Sequence, residues 1–223
     1  MSKTDQEPQA QFYRRAGGLG AATLHEAAGR IGALPSAIQG LSPASVVAGP
    51  AFPVVSPPGD NLWLHHAIAQ ARAGDVLVVS TGGVREFGYF GEVMAVAAVA
   101  RGIAGLVIDA GVRDAAQMNA MGFPVFAERR CINGTIKDPR KAGSLGAPLV
   151  IGGVEIEAGD LIVGDGDGVV SIPQALAAEV VELGARREAA EQEYFQRLRA
   201  GETTLDVYRL PTPTHLCAAG PDR

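Results

Sequence analysis

Residues 76–114 read VLVVSTGGVREFGYFGEVMAVAAVARGIAGLVIDAGVRD, and this stretch determines the fold prediction. Its first five residues form a short apolar run typical of a buried strand, and Ala104–Asp109 is a second such run. A glycine-rich loop over residues 81–91 and a helix over Glu92–Arg101 separate the two runs. A further helix and the strand Phe123–Ala127 follow. Strand, helix, strand, helix and strand at this spacing predict parallel βαβ units.

The upstream sequence predicts four elements. These are a flexible lead over residues 1–15, a short helix through Arg30, a strand over Val46–Val55 and a helix over residues 61–73. Thr23 and Glu26 have the spacing of a capping box at the start of the first helix. Asp60 is placed to cap the second helix.

The downstream sequence changes character after about residue 130. Four short strands are predicted there, over Leu149–Ile151, Val154–Ile156, Asp160–Val163 and Val169–Ile172. Their glycine-rich connections favour a second, more antiparallel layer, with a tight hairpin turn over Asp165–Gly168. Pro173 suits the first position of a helix, which would extend to about Arg199 and pack one face on a partner.

Composition limits the classes of function. The chain has 223 residues, 47% of them hydrophobic and 19% charged, and a net charge of −5. Such a chain can bury a sizeable core, and its negative charge argues against general nucleic-acid binding. Cys131 and Cys217 lie far apart without zinc-ligand spacing, which favours a reducing compartment. With no apolar leader and no apolar run long enough to span a bilayer, we expect a cytoplasmic protein without a membrane partner.

The loops that follow two successive strands hold the candidate site. The first loop leads into Gly91 at a helix start, where backbone amides without partners can bind a carboxylate. The second loop delivers Arg113 and Asp114. Because ligands collect at the carboxyl ends of strands in open α/β folds, these groups are expected to share one cleft. Alternatively, Asp114 is only the N-cap of the following helix.

The chemistry that suits such a cleft is that of a 2-oxo acid. Helix amides hold its carboxylate, and Arg113 hydrogen-bonds its carbonyl oxygen as negative charge develops. Asp114 can anchor a hard divalent cation, which would act as a Lewis acid for an enolate. The chain has three lysines, Lys3, Lys137 and Lys141, all in polar segments. Because a Schiff-base lysine needs a desolvating pocket, carbon–carbon lyase chemistry here favours a metal over an imine.

Eight motifs carry a family resemblance. They are ATLHEAAGRIG, PGDNLWLHHA, GYFGEVMA, LVIDAGVRD, GFPVFA, NGTIK, GDLIVGDGDGVVSIP and TLDVYR, and they extend over about residues 17–210. In them the chain resembles the 4-hydroxy-4-methyl-2-oxoglutarate / 4-carboxy-4-hydroxy-2-oxoadipate aldolases, whose superfamily includes the regulator of ribonuclease activity A. The resemblance implies a class II pyruvate aldolase with a compact α/β sandwich related to swivelling β/β/α domains. It further implies a catalytic domain over residues 16–172 and a C-terminal helix and tail over 173–223.

By position, the resemblance also implies roles for individual residues. Asp114 would anchor Mg²⁺ or Mn²⁺ through few direct bonds and several waters, and Arg113 would contact the substrate carbonyl. The pyruvyl carboxylate would bind the backbone amides of four residues, Gly91, Glu92, Val93 and Met94. Glu26 and Glu191 would approach the metal-bound waters from a neighbouring subunit of a homotrimer or hexamer.

The resemblance leaves the substrate open. The implied reaction cleaves a 4-hydroxy-2-oxo dicarboxylic acid to pyruvate and a second oxo acid, with oxaloacetate decarboxylation as a side activity. Glu92 stands where close aldolases often have Asp, and residues 81–87 and 138–144 depart from the family pattern. The alternatives are a lyase or decarboxylase of another oxo acid, and a non-enzymatic ribonuclease regulator.

Overall fold

The computed structural model describes residues 3–214. The strands are β1 (Gln39–Gly40), β2 (Val47–Val55), β3 (Val76–Ser80), β4 (Gly88–Phe90), β5 (Gly105–Val112), β6 (Val125–Arg130), β7 (Ser144–Leu145), β8 (Leu149–Ile151), β9 (Val154–Ile156), β10 (Leu161–Asp165) and β11 (Gly168–Ile172). The helices are α1 (Lys3–Leu19), α2 (Ala21–Ala27), α3 (Leu62–Gln70), α4 (Glu92–Ala100), α5 (Ala115–Met121), α6 (Gln174–Arg199) and α7 (Thr204–Tyr208). None of these helices combines the length and apolarity that crossing a bilayer needs.

One mixed sheet organises the first part of the chain. Its strand order is β1-β6-β5-β3-β2-β10-β11, with β4 paired to β5 and β7 paired to β2. Strands β2, β3, β5 and β6 run parallel, as the βαβ pattern predicted. Because β1 at one end of this order contacts β11 at the other, the sheet is nearly closed. The predicted α/β fold with a C-terminal helix is confirmed.

The expected second layer is only partly separate. β10 and β11 form an antiparallel hairpin, but β10 also pairs with β2 and so extends the main sheet. Only β8 and β9 form a sheet of their own among the described residues. The predicted hairpin turn is confirmed, since Asp165 and Gly168 are partners at its tip. The error arose because short strands with glycine turns do not reveal which neighbour they pair with.

Hydrophobic side chains alternate between the two faces of the parallel strands. On β3, Leu77 and Val79 belong to a core covered by α3, α4 and α5, whereas Val76 and Val78 belong to a core on the opposite face. All four side chains are fully buried. The double-sided burial explains why these strands are continuous apolar runs, and it fixes the carboxyl ends of β3 and β5 at one edge.

The N-terminal segment differs from the predicted flexible lead. Residues Lys3–Leu19 form α1, in which Ala16 is fully buried and Phe12 and Leu19 pack against the same core cluster. These three side chains are spaced by one helical turn, so they share one face of the helix. The polar residues of the segment obscured that short apolar stripe.

The start of α2 also corrects the sequence analysis. The helix begins at Ala21 and carries no capping bond from its own side chains. Instead the Ala21 amide donates to Asp165 Oδ2 at 2.7 Å, from the tip of the β10–β11 hairpin. The predicted capping box of Thr23 and Glu26 is therefore wrong, because a carboxylate distant in sequence takes its place.

The chain divides into two compact units inside α6. The first ends at Gly184, and the second begins at Ala185. In the first unit, Ala177, Val180 and Val181 of α6 are buried. In the second, Tyr194 and Tyr208 make an edge-to-face ring contact with centroids 5.2 Å apart. The predicted boundary at residue 173, between a catalytic domain and a C-terminal helix and tail, stays a prediction.

Candidate active site

Arg113 and Asp114 lie directly against the turn that begins α4. A Cβ atom on Gly91 would lie 2.5 Å from Asp114 Oδ2, closer than real Cβ atoms come to a neighbour, and 3.0 Å from Arg113 Cγ, which is a tight contact. Glycine at position 91 therefore permits the close approach of both side chains. The structure brings together the two loops that the sequence placed in one cleft.

Asp114 has a strained backbone and an unusual hydrogen bond. Its φ is 55° and its ψ is 36°, the left-handed region that few residues other than glycine adopt. Its side chain does not cap α5, the helix that follows it. Instead Oδ2 accepts from the Glu92 amide of α4 at 3.1 Å. Asp114 thus occupies the N-cap position of α5, as the alternative expected, but its side chain bonds to α4 and not to its own helix.

The first amides of α4 are only partly available to a ligand. The Glu92 amide donates to Asp114, and the Met94 amide donates to Gly91 O at 3.0 Å. The Val93 amide has no hydrogen-bond partner among residues 3–214. A carboxylate at this helix end would therefore find one available amide of the three, together with the partial positive charge of the helix N-terminus.

Arg113 offers the cation of the site. Its Nε lies 3.6 Å from Asp114 Oδ2, and its side chain is 51% exposed. Its backbone amide donates to Phe90 O at 2.9 Å, which ties the end of β5 to the turn before Gly91. Within the described part of the chain its terminal guanidinium nitrogens have no partner, so they can meet an oxygen of a ligand.

Two buried residues that the sequence analysis did not select, Asn61 and Tyr89, stabilise the turn before α4 by hydrogen bonds. Asn61 Nδ2 donates to Tyr89 O at 2.9 Å and contacts Met94 Sδ at 3.6 Å. The Tyr89 hydroxyl donates to Val84 O and accepts from the Gly59 amide, each at 2.8 Å. Burial raises the pKa of Tyr89, so it remains a neutral hydrogen-bonding group. The PGDN and GYFG motifs are thereby joined, which sequence spacing alone did not reveal.

A second carboxylate, Asp109 on β5, serves the scaffold. It accepts from Ser80 Oγ at 2.8 Å, from the Thr81 amide at 2.8 Å and from Thr81 Oγ1 at 2.9 Å. Its exposure is 9%. These bonds fix the start of the loop that carries β4 to the site.

Glu128 at the end of β6 is the third carboxylate of this region. Its side chain is 2% exposed, and Arg85 Nε lies 3.2 Å from its Oε2. Oε2 nevertheless lacks a hydrogen bond of good geometry from any described residue. Burial raises the pKa of Glu128, the cation of Arg85 opposes the shift, and the charge of Asp109 adds to it.

The remaining predicted site residues have partners within this chain. Glu26 pairs with Arg30 at 3.2 Å, and Glu191 pairs with Arg187 at 3.1 Å. Their contribution to the site of a neighbouring subunit stays a prediction. Lys137 is exposed, and Lys141 Nζ donates to Pro58 O at 2.9 Å.

The donor set at Asp114 fits a hydrated hard cation. Oδ1 of Asp114 accepts no hydrogen bond from the described residues, and the side chain is 37% exposed. The same part of the chain contains no group of three or more His, Cys, Asp or Glu side chains arranged to hold a metal. Mg²⁺ commonly binds through one or two carboxylates and keeps several waters, so a single free carboxylate oxygen is compatible with it.

Comparisons with known proteins identify the family of the chain. The profile of the RraA-like family, described as Aldolase/RraA, matches residues 21–171. A Halalkalibacterium halodurans protein provisionally named as a 4-hydroxy-4-methyl-2-oxoglutarate aldolase is 36% identical over 161 residues, 71% of this chain and 75% of that protein.

Two solved structures are similar over most of their length. An uncharacterized protein from Pseudomonas syringae has a TM-score of 0.77 at 31% identity, covering 89% of this chain and 97% of that one. The RNA-processing inhibitor RraA from Thermus thermophilis has a TM-score of 0.58 at 26% identity, covering 64% of this chain and 85% of that one. The relatives of this chain thus include one with an aldolase name and one described as an RNA-processing inhibitor.

Proposed function

The chain belongs to the RraA-like family, Aldolase/RraA, and on that premise we propose that it is a divalent-metal-dependent aldolase. Its substrate is a 4-hydroxy-2-oxo dicarboxylic acid of the 4-hydroxy-4-methyl-2-oxoglutarate or 4-carboxy-4-hydroxy-2-oxoadipate type. The products are pyruvate and a second oxo acid. The observation that carries the proposal is the contact of Arg113 and Asp114 with Gly91 at the start of α4.

The metal would bind Asp114 and would keep the water molecules of its own hydration shell. When bound, Mg²⁺ or Mn²⁺ supplies a Lewis acid for the oxygens of the 2-oxo acid. Asp114 is suited to this role because Glu92 and Arg113 contact only its Oδ2, which leaves Oδ1 for the cation.

The chain's own groups bind and polarise the pyruvyl half of the substrate. The Val93 amide and the N-terminus of α4 bind the C1 carboxylate. The guanidinium of Arg113 donates to the C2 oxygen. When the bond between C3 and C4 breaks, its electron pair passes to C3 and the C2 oxygen, where Arg113 stabilises the charge. An ordered water takes the proton of the C4 hydroxyl, and C3 is then protonated to give pyruvate.

Assembly completes the site in this proposal. Glu26 and Glu191 reach it from a neighbouring copy in a homotrimer or in a hexamer of paired trimers. Exposed valines on α4 support an interface beside the site: Val93, Val96 and Val99 are 79%, 53% and 45% exposed. Such an apolar stripe is uncommon on the free surface of a monomer.

The test uses oxaloacetate, whose decarboxylation passes through the same enolate. We expect pyruvate release that stops with a chelator and returns with Mg²⁺ or Mn²⁺. Arg113→Ala should lower turnover by about 10³-fold, because it removes a donor to the developing negative charge. Arg140→Ala, an exposed arginine paired with Asp138, is the matched control. Wild-type turnover in Arg113→Ala would remove this residue from the mechanism.

A non-enzymatic ribonuclease regulator is the second candidate. Its support is the likeness to the Thermus thermophilis RNA-processing inhibitor. Binding of a purified ribonuclease by the protein, without any metal-dependent release of pyruvate, would favour this role over the aldolase.

A further inference from the structure

The side chain of Arg113 packs against strand β4. A Cβ atom on Gly88 would lie 3.2 Å from Arg113 Cβ, 3.3 Å from Arg113 Cδ and 2.5 Å from Cys131 O. Glycine at position 88 thus leaves room for the aliphatic stem of Arg113. The backbone amide of Arg113 also donates to Phe90 O, at the end of the same strand. The position of β4 therefore sets the position from which the guanidinium reaches a ligand.

The loop over residues 81–87 leads directly into β4 and is tied to its neighbours in the sheet. The Gly111 amide of β5 donates to Arg85 O at 3.0 Å, and Asn133 Nδ2 donates to Glu86 O at 2.9 Å. The Asn133 carbonyl accepts from the first amide of β4 at 2.8 Å. Because the loop continues into β4 without an intervening residue, a shift of the loop is passed to this strand.

Four charged side chains join this loop to the end of β6. Arg85 Nε lies 3.2 Å from Glu128 Oε2, and Arg129 Nη2 lies 3.7 Å from the same oxygen. Arg129 also pairs with Glu86. The Glu128 side chain is 2% exposed, whereas the other three are 39% to 65% exposed. A buried ion pair adds little to stability, because desolvation of the charges offsets their attraction, so stability alone does not account for a carboxylate at this position.

We propose that Glu128 is a positioning residue for Arg113. Its charge holds Arg85 and the loop over residues 81–87 at the end of β6, and the loop in turn holds β4 against the stem of Arg113. The proposal rests on the aldolase function given above, in which the Arg113 guanidinium donates to the C2 oxygen. A small displacement of such a group slows the reaction. Loss of the Glu128 charge should therefore lower turnover although it raises the free energy of unfolding.

The same pair makes turnover depend on pH. The charged groups that face the Glu128 carboxylate are Arg85 from the loop, Arg129 from β6 and Asp109 from β5. Burial raises the pKa of Glu128, the cation of Arg85 opposes the shift and the charge of Asp109 adds to it. Protonation removes the attraction for Arg85, so the turnover that the pair supports is lost as the pH falls through this pKa. Glu128→Gln resembles the protonated state, so the ratio of wild-type to variant turnover should approach one as the pH is lowered.

The experiment compares two pairs of variants. Glu128→Gln is matched by Glu155→Gln at an exposed position of β9, and Arg85→Gln is matched by Arg72→Gln at an exposed position before β3. The readouts are the kcat of oxaloacetate decarboxylation with Mg²⁺ and the amide hydrogen exchange of residues 81–90. Glu128→Gln and Arg85→Gln should each lower kcat about tenfold and speed this exchange about tenfold. Their combination should lower kcat no further than either alone, and both matched controls should behave as wild type.

A second cycle tests the route through Arg113. Arg113→Ala removes the donor that Glu128 positions, so the addition of Glu128→Gln to it should leave kcat unchanged. Three outcomes would each overturn the positioning proposal and leave the aldolase function standing: wild-type exchange in Glu128→Gln, wild-type kcat in Glu128→Gln, or a further tenfold loss of kcat in the Arg113→Ala background. Absence of pyruvate release from the wild-type protein with either metal would overturn the aldolase function, and the positioning proposal with it.

Discussion

Asp109 and Asp114 stand five positions apart, near the carboxyl end of β5, yet their surroundings are opposite. Asp109 is buried and accepts three hydrogen bonds of 2.8–2.9 Å from Ser80 and Thr81. Asp114 is 37% exposed, holds a left-handed backbone and accepts one bond of 3.1 Å, from Glu92. A carboxylate whose oxygens are all satisfied stabilises a fold, whereas one held in strain with a free oxygen is available for chemistry.

The largest effect should come from Asp114. Asp114→Asn keeps the size of the side chain and tolerates the left-handed backbone, but it removes the charge. We expect oxaloacetate decarboxylation to fall by about 10³-fold, while the free energy of unfolding measured in urea changes by less than about 1 kcal/mol. A loss in the free energy of unfolding of about 4 kcal/mol, the equivalent of a 10³-fold loss of activity, would make Asp114 a scaffold residue like Asp109.

For Asp109 we expect the reverse: a substitution should lower the free energy of unfolding more than it lowers activity. Asp109→Ala leaves the buried donors of Ser80 and Thr81 without an acceptor, so the free energy of unfolding should fall by about 3 kcal/mol. Urea denaturation followed by circular dichroism measures this change. Asp167→Ala, at an exposed hairpin position, should stay within about 0.5 kcal/mol of wild type. If both variants proved equally stable, the contrast between Asp109 and Asp114 would lose its basis.

Glu128 should give the smallest effect, because it is buried like Asp109 but lacks a well-aligned partner. Its pKa is raised in the folded state by burial, so the folded protein binds this proton more tightly than the unfolded chain does. The stability that it contributes is present at low pH and is lost as the pH rises through the raised pKa. Glu128→Gln should therefore unfold at a higher urea concentration than wild type at pH 7, by about 1 kcal/mol in free energy.

The pH dependence provides the control for Glu128. The advantage of Glu128→Gln should disappear near pH 4, where the wild-type carboxyl is protonated. Glu155→Gln, at an exposed position of β9, should show no comparable pH-dependent gain. An advantage that was the same at both pH values would mean that packing, and not the charge, causes it.

The elements of the parallel sheet were predictable because their signals are local. Double-sided burial makes β3 a continuous apolar run, and glycine at 91 and at 122 marks a helix start and a helix end. The helix over Gln174–Arg199 was likewise predicted, from the proline that precedes it at position 173. The position of two loops at the carboxyl ends of successive strands predicted that Gly91, Arg113 and Asp114 share one cleft, and the structure places them in contact.

What the sequence did not predict depends on contacts between distant residues. Asp165 reaches Ala21 across 144 positions, and Asn61 reaches Tyr89 across 28. The sequence analysis predicted a glycine-rich loop where the structure has the three-residue strand β4. This strand pairs only with β5 among the described strands. No periodicity within a short window reports such contacts, so capping by Asp165 and support by Asn61 required the folded chain.

Gly91 limits how the site formed by Gly91, Arg113 and Asp114 can vary among descendants of the chain. A methyl group there would meet both functional side chains at once, at 2.5 Å and 3.0 Å. Substitutions at the site are thus coupled: a larger residue at position 91 requires the side chain at position 113 or 114 to move away from the start of α4. Substitutions would therefore accumulate first in the surrounding loops and last at Gly91.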